Sequence, residues 1–322
     1  MLNVAMLSKW HVHADGYANT LKKTGKVNIK AVWDEDEARG KAWAETLGAK
    51  FYADLDELLA DKDIHAVICD APTTMHKEVL IKAANAGKHI FTEKAVAPTV
   101  AECEEIEKAV EKNGVIFTVS MPHKCMPINK FIKKNIENGA FGKVTLIRIR
   151  NAHNGVSGNW LPQYWFDESK AAGGAMMDLG CHPMYLLDWF LGAPKHYSAA
   201  YNSMFGTPVD ENAAAVIEFE SGALGVSETS FISYSSPYIV EVHGTEGVLV
   251  SVDGDVKFKN KDTEKYTRDF IKPTLPREDV SPLEQFVDAC INGTKSPENF
   301  TIKDGIGLTR LLEETYKVNC AK

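Results

Sequence analysis

The chain has 322 residues, 44% hydrophobic and 25% charged, which is ordinary for a folded globular protein and long enough for one large or two medium domains. With 44 acidic and 36 basic residues its formal net charge is −8, and no lysine or arginine cluster stands out; this argues against a nucleic-acid surface and makes small molecules the expected partners. No apolar run reaches about 18 residues, so no membrane span is expected, and Cys69, Cys103, Cys125, Cys181, Cys290 and Cys320 form no Cys-x-x-Cys pair, as expected of reduced thiols in a cytoplasmic protein.

Over residues 1–124, strand-like and helix-like segments alternate at the spacing of βαβ units. The start, Leu2 to Leu7, is too short for a signal-peptide core and reads as a strand. Further strands are expected over Val27 to Trp33, Ala66 to Cys69, His89 to Thr92 and Val115 to Ser120. Helical patterns fall between them, over Gly16 to Lys23, Glu37 to Leu47, Met75 to Ala86 and Thr99 to Asn113, with Gly114 as the last stop signal. The fold class is therefore α/β, with a doubly wound parallel sheet in this half.

A dinucleotide-binding turn after the first strand should read Gly-x-Gly-x-x-Gly, so that backbone can approach a pyrophosphate closely. Here it reads Ser8-Lys9-Trp10-His11-Val12-His13. Ser8 is small, Lys9 can offset phosphate charge, and the next helix presents its N-terminus to an anion; alternatively, Trp10, His11 and His13 fill the crevice. Asp34 closes the second strand, where a carboxylate either bonds a ribose hydroxyl or caps the Glu37 helix. Glu35, Asp36 and Glu37 follow with no adjacent arginine to accept a 2′-phosphate, so NAD is expected before NADP. Ala71-Pro72-Thr73 makes a tight turn suited to lie against a nucleotide, with His76 as a further ligand or a first-turn helix residue. Glu93-Lys94 ends the fourth expected strand, at the edge where ligands bind in open parallel sheets; a solvated ion pair is the alternative.

Met121 to Pro127, with two prolines, marks the crossing into a second domain, residues 125–322. A helix over Ile128 to Asn138 leads to a half-buried strand, Lys143 to Arg150. Alternating segments follow over Lys195 to Phe205, Ala213 to Glu220, Ala223 to Ser230, Tyr238 to His243, Gly247 to Val252 and Asp255 to Lys259. Hairpin signals between them predict an open, mostly antiparallel sheet whose free face is covered by a second copy, as a homodimer or homotetramer. Between the first strand and the rest, Ala171 to Gly192 predicts one buried helix, with Asp178 and His182 four apart on one face. They either satisfy each other or face a pocket, where His182 exchanges a proton. His153, Asn154, Trp160 and Trp165 gather amides and rings suited to a polyhydroxylated ligand, or are loop aromatics trapped against the fold. Pro282 to Asn292 and Lys303 to Cys320 read as closing helices. The spacing of His11, His13, His76, His123, His153 and His182 matches no standard ligand motif, so no metal is expected.

With Ala86-Gly87-Lys88-His89-Ile90-Phe91-Thr92-Glu93-Lys94, Pro72-Thr73-x-x-His76, and Gly173-Gly174-Ala175 followed by Asp178-Leu179-Gly180-x-His182, the chain resembles the glucose-fructose oxidoreductase/inositol dehydrogenase family (GFO/IDH/MocA), nearly end to end. It departs at Ala95, where the family usually has proline, and at the glycine-free turn. The resemblance implies a Rossmann domain, an α/β domain used for oligomerisation, and NAD(P)-dependent oxidation or reduction of sugars or polyols. It implies Lys94, Asp178 and His182 as the catalytic set. The cofactor-binding set is then Ser8, Lys9, Trp10, His11, Asp34, Ala71, Pro72, Thr73, His76, Glu93 and Lys94, and the substrate set is His123, His153, Asn154, Trp160, Trp165 and His182. Alternatives are an NAD-dependent glycosidase using the same site and a non-catalytic NAD- or sugar-binding regulator.

Overall fold

The computed structural model describes residues 1–320. In chain order the elements are β1 Leu2–Leu7, α1 Ala14–Thr24, β2 Val27–Trp33, α2 Glu37–Leu47, β3 Lys50–Tyr52, α3 Leu55–Ala60, β4 Ala66–Cys69, α4 His76–Asn85, β5 His89–Thr92, α5 Val100–Asn113 and β6 Phe117–Val119. They continue with α6 Pro127–Glu137, β7 Val144–Ala152, α7 Glu168–Ala171, α8 Cys181–Leu191, β8 Pro194–Asn202, β9 Asn212–Phe219, β10 Leu224–Ser230, β11 Ile239–Gly244, β12 Gly247–Val252, β13 Asp255–Asn260, α9 Pro282–Asn292 and α10 Ile302–Cys320. No helix among the described residues is long and apolar enough to cross a membrane. The five described cysteines are free thiols, and the side chain of Cys320 lies outside the described set.

Contacts divide the chain into Met1–Pro122 with Val280–Thr309, and His123–Asp279 with Arg310–Lys322. The break falls close to the expected crossing. Residues 280–309, which the sequence reading placed in the second domain, return to the first unit.

The first unit is built on a six-stranded parallel sheet of order β3-β2-β1-β4-β5-β6, in which the order of strand addition reverses between β1 and β4. The inner strands are apolar on both faces because helices cover both, so β4 is buried throughout, whereas β2 alternates along its first half. Asp36 caps α2 and Thr99 caps α5 by accepting N–H groups of the first turn. The return of α9 follows from its apolar face: Leu283, Phe286 and Val287 join the core of Val4, Met6 and Leu21, and Phe286 meets Phe91 at 5.9 Å between ring centroids.

The second unit holds a seven-stranded sheet of order β13-β12-β11-β7-β10-β9-β8. It is mixed: β7 and β10 run parallel at its centre, and the other neighbours are antiparallel. One face is apolar, carrying Ile147, Ile149, Ile217, Val240, Val242 and Leu249, all fully buried. The other carries an ion ladder in which Arg148 donates to Glu228 at 3.0 and 2.9 Å and to Glu241 at 3.1 Å.

The single helix expected over Ala171 to Gly192 is broken. After α7 the chain passes Gly173-Gly174, makes a π turn over Met176–Gly180, and only then enters α8. Asp210 sets this geometry. Its carboxylate accepts the N–H groups of Gly174 (2.9 Å) and Met176 (2.8 Å) and the Tyr316 hydroxyl (2.7 Å). A Cβ on Gly174 would stand 2.1 Å from the Asp210 carbonyl oxygen, so only glycine admits this approach.

Candidate functional site

In the first unit the turns after β1 and β4 flank the point where strand order reverses, the usual place for a ligand crevice in an open parallel sheet. They are tied together by the His11 N–H, which donates to the Asp70 carbonyl at 3.0 Å. Ser8 takes the left-handed conformation (φ 70°) in which the fingerprint would use glycine. That conformation costs about 1–2 kcal/mol for a side-chain-bearing residue, and it is buttressed by the Trp10 N–H donating to Ser8 Oγ at 3.0 Å. Helix α1 then begins without a side-chain cap, leaving its N-terminus to an anion.

Asp34 is buried at the end of β2, and its carboxylate accepts from Lys9 N (2.9 Å), Asp36 N (2.8 Å), Arg39 Nε (3.0 Å) and Arg39 Nη2 (2.6 Å). Arg39 corrects the sequence reading, which found no arginine near this acid. It lies beyond the acidic run, on the first turn of α2, and reaches back to Asp34 and to Glu35 at 2.5 Å. The α1 N-terminus without a side-chain cap, the left-handed Ser8 and the acid closing β2 fit a dinucleotide.

Glu93 is the hub of a second group. Its Oε1 lies 2.8 Å from His13 Nδ1 and 3.8 Å from His11 Nδ1 and accepts the Tyr17 hydroxyl; Oε2 accepts the Lys94 N–H at 3.0 Å. Burial alone would raise its pKa, but the positive potential of His11, His13 and Lys94, with the His13 hydrogen bond, carries it well below the usual range. Tyr17, which also bonds Ser120 Oγ at 2.7 Å, is pushed up by burial and by Glu93. Asp70 is the contrasting acid. It is fully buried, neither oxygen has a hydrogen-bond partner among the described residues, and burial followed by the charges of Glu93 and Asp15 pushes it well above its ordinary value.

Ala71, Pro72 and Thr73 lie in the turn after β4 and are buried. His76 is otherwise engaged: its ring nitrogens lie 2.9 Å from the Ala71 carbonyl and 3.0 and 3.2 Å from those of Ala95 and Val96. It is therefore a buried brace between the turn and the Lys94 loop rather than a cofactor ligand, and burial lowers its pKa. Lys94 is buried at the end of β5, and the Lys94–Ala95 peptide is cis.

In the second unit His182 is buried on the first turn of α8. Its Nδ1 lies 2.9 Å from the Tyr185 hydroxyl, which also accepts the His123 N–H at 3.0 Å. The His123 and His182 rings stack at 4.2 Å and 21°. Asp178 sits in the π turn, so the α-helical spacing that placed it on the same face as His182 does not hold there. Its electrostatic partner is His153, whose pKa falls with burial although Asp178 opposes the shift. His153 stacks on Phe231 at 5.2 Å and meets Trp160 at 4.6 Å, and Trp160 Nε1 donates to Asn154 Oδ1 at 3.1 Å. Trp160 is exposed. Trp165, expected beside it, is buried and offers no open ring face.

Sequence reasoning missed Arg39, Tyr17, Tyr185 and Asp210. Tyr185, three residues after His182 on one helix, had a usable spacing signal; the others act from distant positions or behind distracting neighbours.

The chain matches two family models: "Oxidoreductase family, NAD-binding Rossmann fold" over residues 8–121 and "GFO/IDH/MocA C-terminal domain" over residues 130–250. It is 30% identical over 239 residues to a scyllo-inositol 2-dehydrogenase (NAD(+)) of Bacillus subtilis, covering 72% of this chain and 68% of that protein. A myo-inositol 2-dehydrogenase of Thermotoga maritima is 29% identical over 242 residues, covering 72% and 70%. In fold, a levoglucosan dehydrogenase solved with NADH and levoglucosan matches with a TM-score of 0.84 at 21% identity, covering 99% of this chain and 97% of that one.

Proposed function

This chain belongs to the GFO/IDH/MocA family of NAD-binding oxidoreductases, and from that premise we propose that it transfers hydride reversibly between NAD and a secondary alcohol of a sugar or polyol. The substrate class follows from the inositol dehydrogenases and the levoglucosan dehydrogenase it resembles. The observation that carries the reading is the parallel sheet with its reversal at β1 and β4, flanked by a left-handed Ser8 and closed by Asp34.

Bound NAD supplies the hydride acceptor. Backbone of the Ser8 to Trp10 turn and the α1 N-terminus hold its pyrophosphate, with Lys9 offsetting charge. Asp34 takes a ribose hydroxyl, and Ala71, Pro72 and Thr73 line the other side. Lys94 holds the substrate oxygen and stabilises negative charge on it as the carbonyl forms. In the tautomer whose Nδ1–H donates to the Tyr185 oxygen, 2.9 Å away, His182 presents its Nε2 lone pair and takes the hydroxyl proton there. Asp178, His123, His153, Asn154 and Trp160 bind the remaining hydroxyls and C–H faces. The sheet of the second unit joins copies of the chain into a homodimer or homotetramer in the cytoplasm.

The test is NADH formation across a panel of sugars and polyols. His182→Asn and Lys94→Ala are each expected to lower turnover by about 10²- to 10⁴-fold, the usual contribution of a positioned acid or base. No turnover with any substrate, in a protein whose melting temperature rises with NAD, would remove the assignment.

A further inference from the structure

The group around Glu93 exceeds what hydride transfer asks of it. His11, His13 and Glu93 bring two imidazoles and one carboxylate to a single point, with one ligand atom from each within 4.8 Å of the others. Two nitrogens and a carboxylate oxygen are a donor set that zinc accepts as three protein ligands with a fourth position left open. With metal–ligand bonds of about 2.0–2.1 Å, a tetrahedral ion separates its ligands by roughly 3.3 Å. The present separations from Glu93 Oε1, 2.8 Å to His13 Nδ1 and 3.8 Å to His11 Nδ1, bracket that value, and ligation at His11 Nδ1 would replace the long bond it accepts from the His13 N–H at 3.3 Å.

We propose that His11, His13 and Glu93 form a site for one divalent transition-metal ion, zinc foremost. Of the three ligands, His13 stands where the dinucleotide turn would carry its last glycine.

Four further observations point the same way. Glu93 and His11 are buried, so a cation there would be shielded from competing water. Asp70, a second buried acid that feels the charge of Glu93, has no hydrogen-bond partner among the described residues, and a nearby cation would offset the crowding of two carboxylates. The Tyr17 hydroxyl and the Lys94 N–H orient the Glu93 carboxylate, as outer partners orient ligands in metal sites. The half-exposed His13 ring and Tyr17 also line a cavity of about 360 Å³, with Phe91, Ser120 and Leu283, through which an ion and an oxygen ligand for its fourth position can enter.

His11 and Glu93 also belong to the cofactor-binding set that the resemblance implies, so the metal is titrated in the absence of NAD. It is tested on the full chain, stripped with a chelator, by calorimetric titration with zinc chloride and, separately, magnesium chloride. One equivalent of zinc is expected to bind with a Kd of about 1 µM or tighter, and magnesium, which favours all-oxygen sites, not to bind. His13→Ala, at a half-exposed side chain, and His11→Ala are each expected to weaken zinc by more than about 100-fold. Tyr17→Phe, which removes an orienting partner, should weaken it by about 10-fold. Absence of stoichiometric zinc in the wild type, or unchanged affinity in both histidine variants, overturns the proposal. The NAD thermal shift, run on the same stripped protein, reports on the cofactor separately.

Discussion

Asp34 and Asp70 close two strands of the same sheet, yet their surroundings are opposite. Asp34 is buried with four hydrogen-bond donors, two of them from the Arg39 guanidinium. Asp70 is buried with none among the described residues, and with Glu93 and Asp15 as its electrostatic neighbours. What separates them is a second element reaching back: α2 sends Arg39 to the end of β2, and nothing comparable reaches Asp70. A buried acid is thus a stabilising anchor or a standing cost according to what its neighbours donate.

The difference can be broken most forcefully from the Asp34 side. Arg39→Ala strips the carboxylate of its counter-charge while leaving it buried, which costs about 3 kcal/mol. Urea unfolding should show a lower midpoint at unchanged slope. The second unit offers the same experiment on a well-satisfied acid: Asp210→Ala orphans the Gly174 and Met176 N–H groups and is expected to cost about 2 kcal/mol. A loss below about 0.5 kcal/mol would mean that the π turn is held by packing alone.

Asp70 should respond in the other direction. Its folded pKa is raised, so between the unfolded value near 4 and the folded value the native state binds more protons than the unfolded one. Stability therefore falls as pH rises through that window and stays reduced above it. Asp70→Asn removes the ionisable group at constant shape. It should match the wild type near pH 4 and exceed it by about 1–2 kcal/mol at pH 7; parallel stability–pH curves for the two proteins would show that Asp70 keeps an ordinary pKa.

Much of the architecture was legible because the strands that matter most are long in pattern. The apolar runs of β1, β4 and β5 and the alternation of β9 to β13 carry their period in a few consecutive residues. β3 was missed because its three residues run from exposed Lys50 to buried Tyr52 with no apolar block, and α3 because it is under two helical turns long. The return of α9 to the first unit was missed because it is decided by Phe286 meeting Phe91, a contact between distant segments. The candidate site divides likewise. Lys94, Asp34 and His182 announce themselves by type and place, but Arg39 stood behind three acids, and the π turn that displaces Asp178 is imposed by Asp210 from more than thirty residues away.

The finest test turns on cofactor choice. Asp34 holds Arg39, and on the proposed reading it also repels a 2′-phosphate, so that the two effects act together against NADP. Asp34→Asn keeps an oxygen for the Lys9 N–H but removes the repulsion and loosens the guanidinium, which becomes a phosphate partner. The ratio of NAD to NADP affinity, from titrations of the same preparation, should fall about fivefold, roughly 1 kcal/mol. If the ratio held while Arg39→Ala still destabilised the fold, Asp34 would be an anchor for α2 alone and the ribose would be read elsewhere.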